Sequence, residues 1–435
     1  MNLRATALMA CLALAACGSS QDIDMSTQYG PSPNLPEPTR GLLPHMNVPK
    51  VSGWKGSDTP TVPQGFRIEA IATGLSNPRN VYPLPNGDLL IIESKKEASE
   101  PIERPKRPVM SWIEARAHGG GDSSGPSNRI LLLRGADGAG KLAAPTVLID
   151  HLNSPFGVVF VGDSLYVADT DAILRYPFKP GDASVGGPPV KITDLPAGPI
   201  NHHWTKSLTA NTDGSKLYVG VGSNSNAMER GVEAEMNRAA IWEVDPTTGA
   251  FKVYASGLRN PNGLTFYPGS NTLWAVVNER DELGPNLVPD YVTSVKPGAF
   301  YGWPYSYWGR HEDPRVRPQR PDLVQSAVVP DYGLSSHVAP LGLAFYTGNS
   351  FPAPFQSGAF VGEHGSWNRP DLNGYRVVFI HFENGRPVGN PVDFVTGFVK
   401  DGAARGRPVG VAVDKSGALI VADDVGNTVW RVTHG

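Results

Sequence analysis

His203 stands in Ile200-Asn201-His202-His203-Trp204-Thr205, just ahead of an apolar run that begins near Leu208, which puts it on a loop entering a strand. A histidine titrates close to neutrality, so it can take a proton from a substrate hydroxyl. A satisfied structural histidine and half of a zinc pair are the competing readings. Neighbouring residues on an extended segment point to opposite sides, so His202 and His203 are poorly placed to share one metal. A second constellation is GLRNPNG, residues 257–263, where Pro261 and Gly263 fix a turn and Arg259 comes just before it. A fixed guanidinium there suits a carboxylate or a developing oxyanion, or else staples neighbouring sheets. The next strand ends in Asn278-Glu279-Arg280-Asp281-Glu282, whose oxygens suit calcium through side chains or backbone carbonyls, or else form a solvated turn. A third cluster is EHGSWNR, residues 363–369: Trp367 offers a flat face, while Asn368 and Arg369 bring amide and cationic donors. Arg407 opens a comparable turn near the C-terminus. Arg259, Arg369 and Arg407 together would make a cationic mouth that calls for an anion.

Such scattered residues meet only if a repeated scaffold gathers them. A phrase recurs six times along the chain: a turn residue, often glycine followed by a hydrophobic residue, a short polar turn, then Leu-hydrophobic-Val ending in an acid or amide. The copies begin at Asn77, Ser154, His202, Arg259, Ala339 and Arg407, and each reads as two short strands around a tight turn. Spacing of about 50 to 80 residues lies near or above that of propeller blades, the longer intervals holding insertions. The expected fold is therefore all-β, a propeller with inserted loops over 95–127 and 285–331. High Gly and Pro, 49 and 41 of 435 residues, agree with short strands and turns. A formal net charge of -3 leaves no general electrostatic case for nucleic acid.

The N-terminus carries an address. Arg4 precedes an apolar run, Ala5 to Ala16, which is too short to span a bilayer and ends in Leu14-Ala15-Ala16-Cys17. This resembles a bacterial lipoprotein signal, with residues 1–16 removed and Cys17 lipidated. Gly18 in place of aspartate favours the periplasmic face of the outer membrane, with contact to the membrane only through the lipid. Residues 17–53, polar and proline-rich, read as a flexible tether, and 54–435 as the propeller domain.

GLRNPNG followed by a strand and an acidic cluster, then Tyr301-Gly302-Trp303-Pro304, EHGSWNR and GRPVGVAVDKSGALIVADD, resembles the soluble glucose and sorbosone dehydrogenases that use pyrroloquinoline quinone (PQQ). The resemblance covers residues from His202 onward and the earlier copies by pattern. It implies a six-bladed β-propeller with the quinone across the channel mouth and a calcium ion beside it. By the same resemblance His203 is the base that removes the hydroxyl proton while hydride passes to quinone C5. Arg259 and Asn260 then lie beside the reacting carbonyl, and Asn278 and Glu279 bind the metal. The expected cofactor-binding set is Asn224, Asn260, Trp367, Asn368, Arg369 and Arg407. Where glucose-oxidising relatives have Gly-Pro at the metal turn, this chain has Asn278-Glu279, and His364, Asn368 and Arg369 stand where they use a lysine.

The leading expectation is thus a quinone-dependent oxidoreductase acting on a sugar-like aldehyde or alcohol and passing electrons to a periplasmic acceptor. The alternatives are a calcium-dependent propeller lactonase, with Glu279 and Asn260 on the metal, and a non-catalytic binding propeller tethered to the outer membrane.

Overall fold

In the computed structural model of the protein, residues 23–39, 46–96 and 127–435 are described. Each copy of the repeated phrase forms the first two strands of one antiparallel sheet. The first strands are Pro78–Pro83, Gly157–Val161, Leu208–Ala210, Pro261–Phe266, Pro340–Phe345 and Pro408–Val413. Among the described residues these open six sheets, five with four strands and one with five. Every first strand neighbours the first strands of the sheets before and after it, and the sixth neighbours the first, so the sheets close into a propeller-like ring.

Two features of the phrase explain this packing. The second strands, such as Leu89–Glu93, Leu273–Val277 and Leu419–Asp423, are buried at every position because sheets cover both faces. A strand buried on both faces reads as an unbroken apolar run. The glycine that precedes the hydrophobic residue lets first strands crowd around the axis. A Cβ on Gly342 would strike the backbone of Val409 and Val411, and one on Gly410 would strike Asn80. The ring is closed by strand exchange, since Phe66–Ala72 pairs antiparallel with Thr428–His434 as the fourth strand of the sixth sheet.

Two boundaries differ from expectation. Residues 23–39 of the supposed tether pack on the ring: Tyr29–Gly30 adds a fifth strand to the fourth sheet, and Gln28 is fully buried. Composition hid this because the anchoring groups are polar. The insertion read from residue 285 begins later, since Pro289–Val295 is a strand of the fourth sheet. It carries one short helix, Pro321–Ser326. Residues 1–22, with the signal and Cys17, and residues 97–126 of the first inserted loop lie outside the described residues. Among the described residues no helix is long and apolar enough to cross a membrane.

Candidate active site

First strands start, and second strands end, at one mouth of the ring, and there a cavity of about 450 Å³ opens. Its wall includes His203, Arg259, Asn260, Asn278, Glu279, Trp367, Asn368 and Arg407 from the expected set. It also includes Arg79, Lys95, Lys96, Asp281, His337, His364 and Asp424.

His203 is fixed in one tautomer. Its Nδ1 lies 2.7 Å from the Ser223 carbonyl and 3.1 Å from Ser223 Oγ, which itself donates to the Ser225 carbonyl. A carbonyl only accepts, so Nδ1 carries the hydrogen and the neutral ring keeps its lone pair on Nε2. Gly222 brings Asn260 against this histidine: a methyl group there would strike both Asn260 Oδ1 and His203 Cβ. The His202 and His203 rings meet edge to face, with centroids 4.4 Å apart.

Arg259 is buried and held on all sides. Nη1 donates to the Glu279 carbonyl (2.7 Å) and the Asn278 carbonyl (3.4 Å), and Nε donates to the Asn226 carbonyl (3.3 Å). Nη2 reaches Asn226 Oδ1 (3.1 Å) and the Asp281 carboxylate (3.2 Å). Asp281 also accepts from Asn368 Nδ2 at 2.6 Å, and that amide donates to His337 Nδ1 at 3.1 Å. Burial pushes the His337 ring pKa down. On the opposite wall Asp424 pairs with Arg79 at 2.7 Å and His364 Nε2 at 3.0 Å. Arg407 donates to the carbonyls of His364 (2.9 Å) and Gly365 (2.7 Å) and lies over the Tyr375 ring. Among the described residues no carboxylate forms an ion pair with Arg407, although its charge helps to hold the Asp424 carboxyl low.

Three acceptors on the wall are buried without a hydrogen-bond partner: Asn260 Oδ1, Glu279 Oε1 and Asn368 Oδ1. Leaving such atoms unpaired is costly, so a ligand that brings donors gains by entering.

Two expected residues do not reach the cavity. Asn224 is turned into its own loop, accepting from the His202 N–H and donating to the Ala234 carbonyl. Arg369 is directed away, onto the Pro285 carbonyl, Asn286 Oδ1 and Ser336 Oγ. The third arginine of the mouth is instead Arg79, which the first copy presents in its own Asn77-Pro78-Arg79-Asn80 turn. That turn resembles Arg259-Asn260-Pro261-Asn262, and the signal was readable. Asp424, the last residue of the sixth copy, and Asp281, inside the acidic cluster, were equally visible in the sequence but unassigned.

The metal assignment to Asn278 and Glu279 does not fit this turn. Asn278 Nδ2 donates to the Pro340 carbonyl (2.6 Å), and its Oδ1 accepts from Asn260 (3.1 Å). Glu279 Oε2 accepts from Arg280 Nε (3.0 Å), and both backbone carbonyls accept from Arg259. No group of three or more His, Cys, Asp or Glu side chains that could hold a metal ion occurs among the described residues.

The family model for Glucose / Sorbosone dehydrogenase matches residues 190–428, more than half of the sequence. The chain belongs to this family. Within the glucose/sorbosone dehydrogenase family, the site described above falls mostly in the matched region, with Arg79, Lys95 and Lys96 contributed from before it. An uncharacterized protein of Borreliella burgdorferi is 29% identical over 297 residues, 65% of this chain and 76% of that protein. An aldose sugar dehydrogenase of Escherichia coli is 30% identical over 112 residues, 26% of this chain and 28% of that protein. Among solved structures, the holo form of the PQQ domain of pyranose dehydrogenase from Coprinopsis cinerea superposes with a TM-score of 0.68. It is 19% identical, with 89% of this chain and all of that domain covered. At that identity it speaks for a shared fold.

Proposed function

We propose that the protein is a six-bladed propeller oxidoreductase that uses pyrroloquinoline quinone to oxidise a sugar-like alcohol or aldehyde. The observation that carries this reading is His203, its Nδ1–H fixed on Ser223 and its Cβ, with Asn260 Oδ1, closing on Gly222 in a cavity walled by arginines. The donor set fits a planar polyanion. Arg407 is unpaired with any carboxylate among the described residues, Lys95 and Lys96 share its wall, and Trp367 offers a flat face. These residues would hold the carboxylates and ring system of the quinone. When bound, the quinone supplies a two-electron acceptor for the hydrogen on the substrate carbon.

The chain's own part is proton chemistry and orientation. His203 Nε2 receives the proton of the substrate hydroxyl, and the Ser223 carbonyl stabilises the resulting imidazolium through Nδ1–H. Asn260 Oδ1 and Asn368 Oδ1 accept hydrogen bonds from further hydroxyls, which favours a polyol over an apolar alcohol. Arg259 keeps a positive charge at the wall where negative charge develops. The signal-like segment ending at Cys17 supports a lipid-anchored protein at the periplasmic face of the outer membrane, which hands electrons to a periplasmic acceptor.

The test uses the lipid-free mature protein with added quinone. Retained quinone absorbance and dye reduction with a panel of aldoses are expected. His203→Ala should keep the quinone and lose about 10²- to 10⁴-fold in turnover, the usual contribution of a general base. A protein that retains no quinone under any condition is not a quinoprotein.

A further inference from the structure

The turn after the second strand of the fourth sheet is filled with guanidinium groups where relatives would lead one to look for a metal. We propose that Arg259, with Arg280 and Arg315 behind it, takes the place of the divalent cation, so that this protein binds its quinone without calcium. The inference rests on the quinone reading above.

The engagement of the turn's carboxylates and carbonyls argues for it. The turn 278–282 carries three carboxylates. Glu279 pairs with Arg280 at 3.0 Å, Asp281 with Arg259 at 3.2 Å, and Glu282 lies 4.0 Å from Arg315. Each carboxylate of the turn thus already has a guanidinium partner, and Asp313 shares two of these, Arg280 at 3.3 Å and Arg315 at 2.7 Å. The turn's carbonyls are engaged in the same way: those of Asn278 and Glu279 accept from Arg259, and that of Asp281 accepts from Arg315 at 2.7 Å. Arg280 is fully buried and also donates to the Pro304 carbonyl (2.9 Å) and the Ser306 carbonyl (2.7 Å), which ties the turn to the insertion. In this sector the side-chain oxygens that remain unpartnered among the described residues are Glu279 Oε1, Asn260 Oδ1 and Asn368 Oδ1, whereas calcium takes about six to eight oxygen ligands. A divalent ion would have to displace a buried guanidinium and strand the carboxylates it now neutralises.

Arg259 differs from a bound ion in one respect that matters for the chemistry. Its charge is covalently part of the chain and is fixed by five hydrogen bonds, so chelators cannot remove it. It remains a cavity-wall residue, beside Asn260 and within the same enclosure as His203.

The decisive measurement compares quinone binding by the wild-type apoprotein in EGTA and in millimolar calcium, read from tryptophan fluorescence quenching. Dissociation constants agreeing to better than about tenfold are expected. Binding tightened by about tenfold or more in calcium overturns the inference and leaves the quinone reading standing. Absence of binding in both buffers removes the quinone reading and the inference with it. Arg259→Ala adds a second test, with its fold checked by circular dichroism. It releases the two carbonyls of the turn, those of Asn278 and Glu279, and leaves Asp281 without its arginine partner, so quinone binding should acquire a calcium response of about tenfold or more. A folded variant that stays indifferent to calcium denies Arg259 the role of the cation.

Discussion

His364 is one end of a buried chain of titratable groups, with Asp424 at its centre and Arg79 at the other end. Burial, and next the Arg407 guanidinium, hold the His364 ring at about 4, against the opposing pull of Asp424. Burial also pushes Asp424 up, but His364 and Arg79 outweigh it and keep the carboxyl at about 2. Between pH 4 and the ordinary value of 6.5, an unfolded chain binds a proton on His364 that the folded protein refuses. The contribution of His364 to stability therefore rises with pH through that window and is lost on acidification. Replacing it by glutamine should shrink the difference in melting temperature between wild type and variant as pH is lowered from 6.5 to 4. Circular dichroism melts across that range read the effect, and a difference that does not change with pH would refute it. Residues such as His203, Arg259 and Arg407 were legible because each breaks its copy of the repeat. Where a side chain turns was not legible. Asn224 and Arg369 occupy equally suggestive positions, yet nearby backbone acceptors capture both, and no spacing rule reports that competition.

At the scale of elements, the strands were readable because burial on both faces leaves an unbroken apolar run. The pieces that cover the ring were not, since they dock through polar groups and single aromatics. Trp54 is the clearest case. Its ring meets Trp430 and Phe398 edge to face at 5.1 and 5.6 Å, and the Arg405 guanidinium lies 4.7 Å above it. Its indole N–H donates to Asp423 Oδ2 at 2.6 Å, while Asp423 Oδ1 accepts from the Arg407 N–H at 2.8 Å. Asp423 thus links the N-terminal segment to the residue that opens the sixth copy. Trp54→Ala removes an aromatic contact and a hydrogen bond to a buried acid, so it should cost roughly 2 to 4 kcal/mol. Trp54→Phe keeps a ring and loses the N–H, so about 1 kcal/mol is expected. Urea unfolding curves measure both. Equal losses for the two variants would mean that the hydrogen bond, and not the packing, holds this segment.

The whole molecule is fastened twice by its N-terminal part: once where Phe66–Ala72 completes the sixth sheet, and once where residues 23–39 lie along the fourth. The second fastening turns on Gln28. Its Nε2 donates to the Asn286 carbonyl at 2.7 Å, and its Oε1 accepts from the Ser336 N–H at 3.1 Å and Ser336 Oγ at 2.9 Å. Arg369 grips the same Asn286 and Ser336 from the other side. Just beyond these anchors stand Gly284 and His337, joined at 3.2 Å, and His337 belongs to the cavity wall. An apolar replacement at position 28 removes its hydrogen bonds to the Asn286 carbonyl and to the N–H and Oγ of Ser336, where one unsatisfied buried group alone costs about 1 to 3 kcal/mol. Gln28→Ala should therefore lower stability by roughly 2 to 4 kcal/mol. Amide exchange should rise first in 284–287 and 333–337, while Leu89–Glu93 in the first sheet keeps its protection. Exchange rising equally in all sheets would mean that the ring opens as one unit. Exchange confined to those two segments would make the N-terminal segment a brace for the Asp281 and His337 side of the cavity, reached from outside the repeated scaffold.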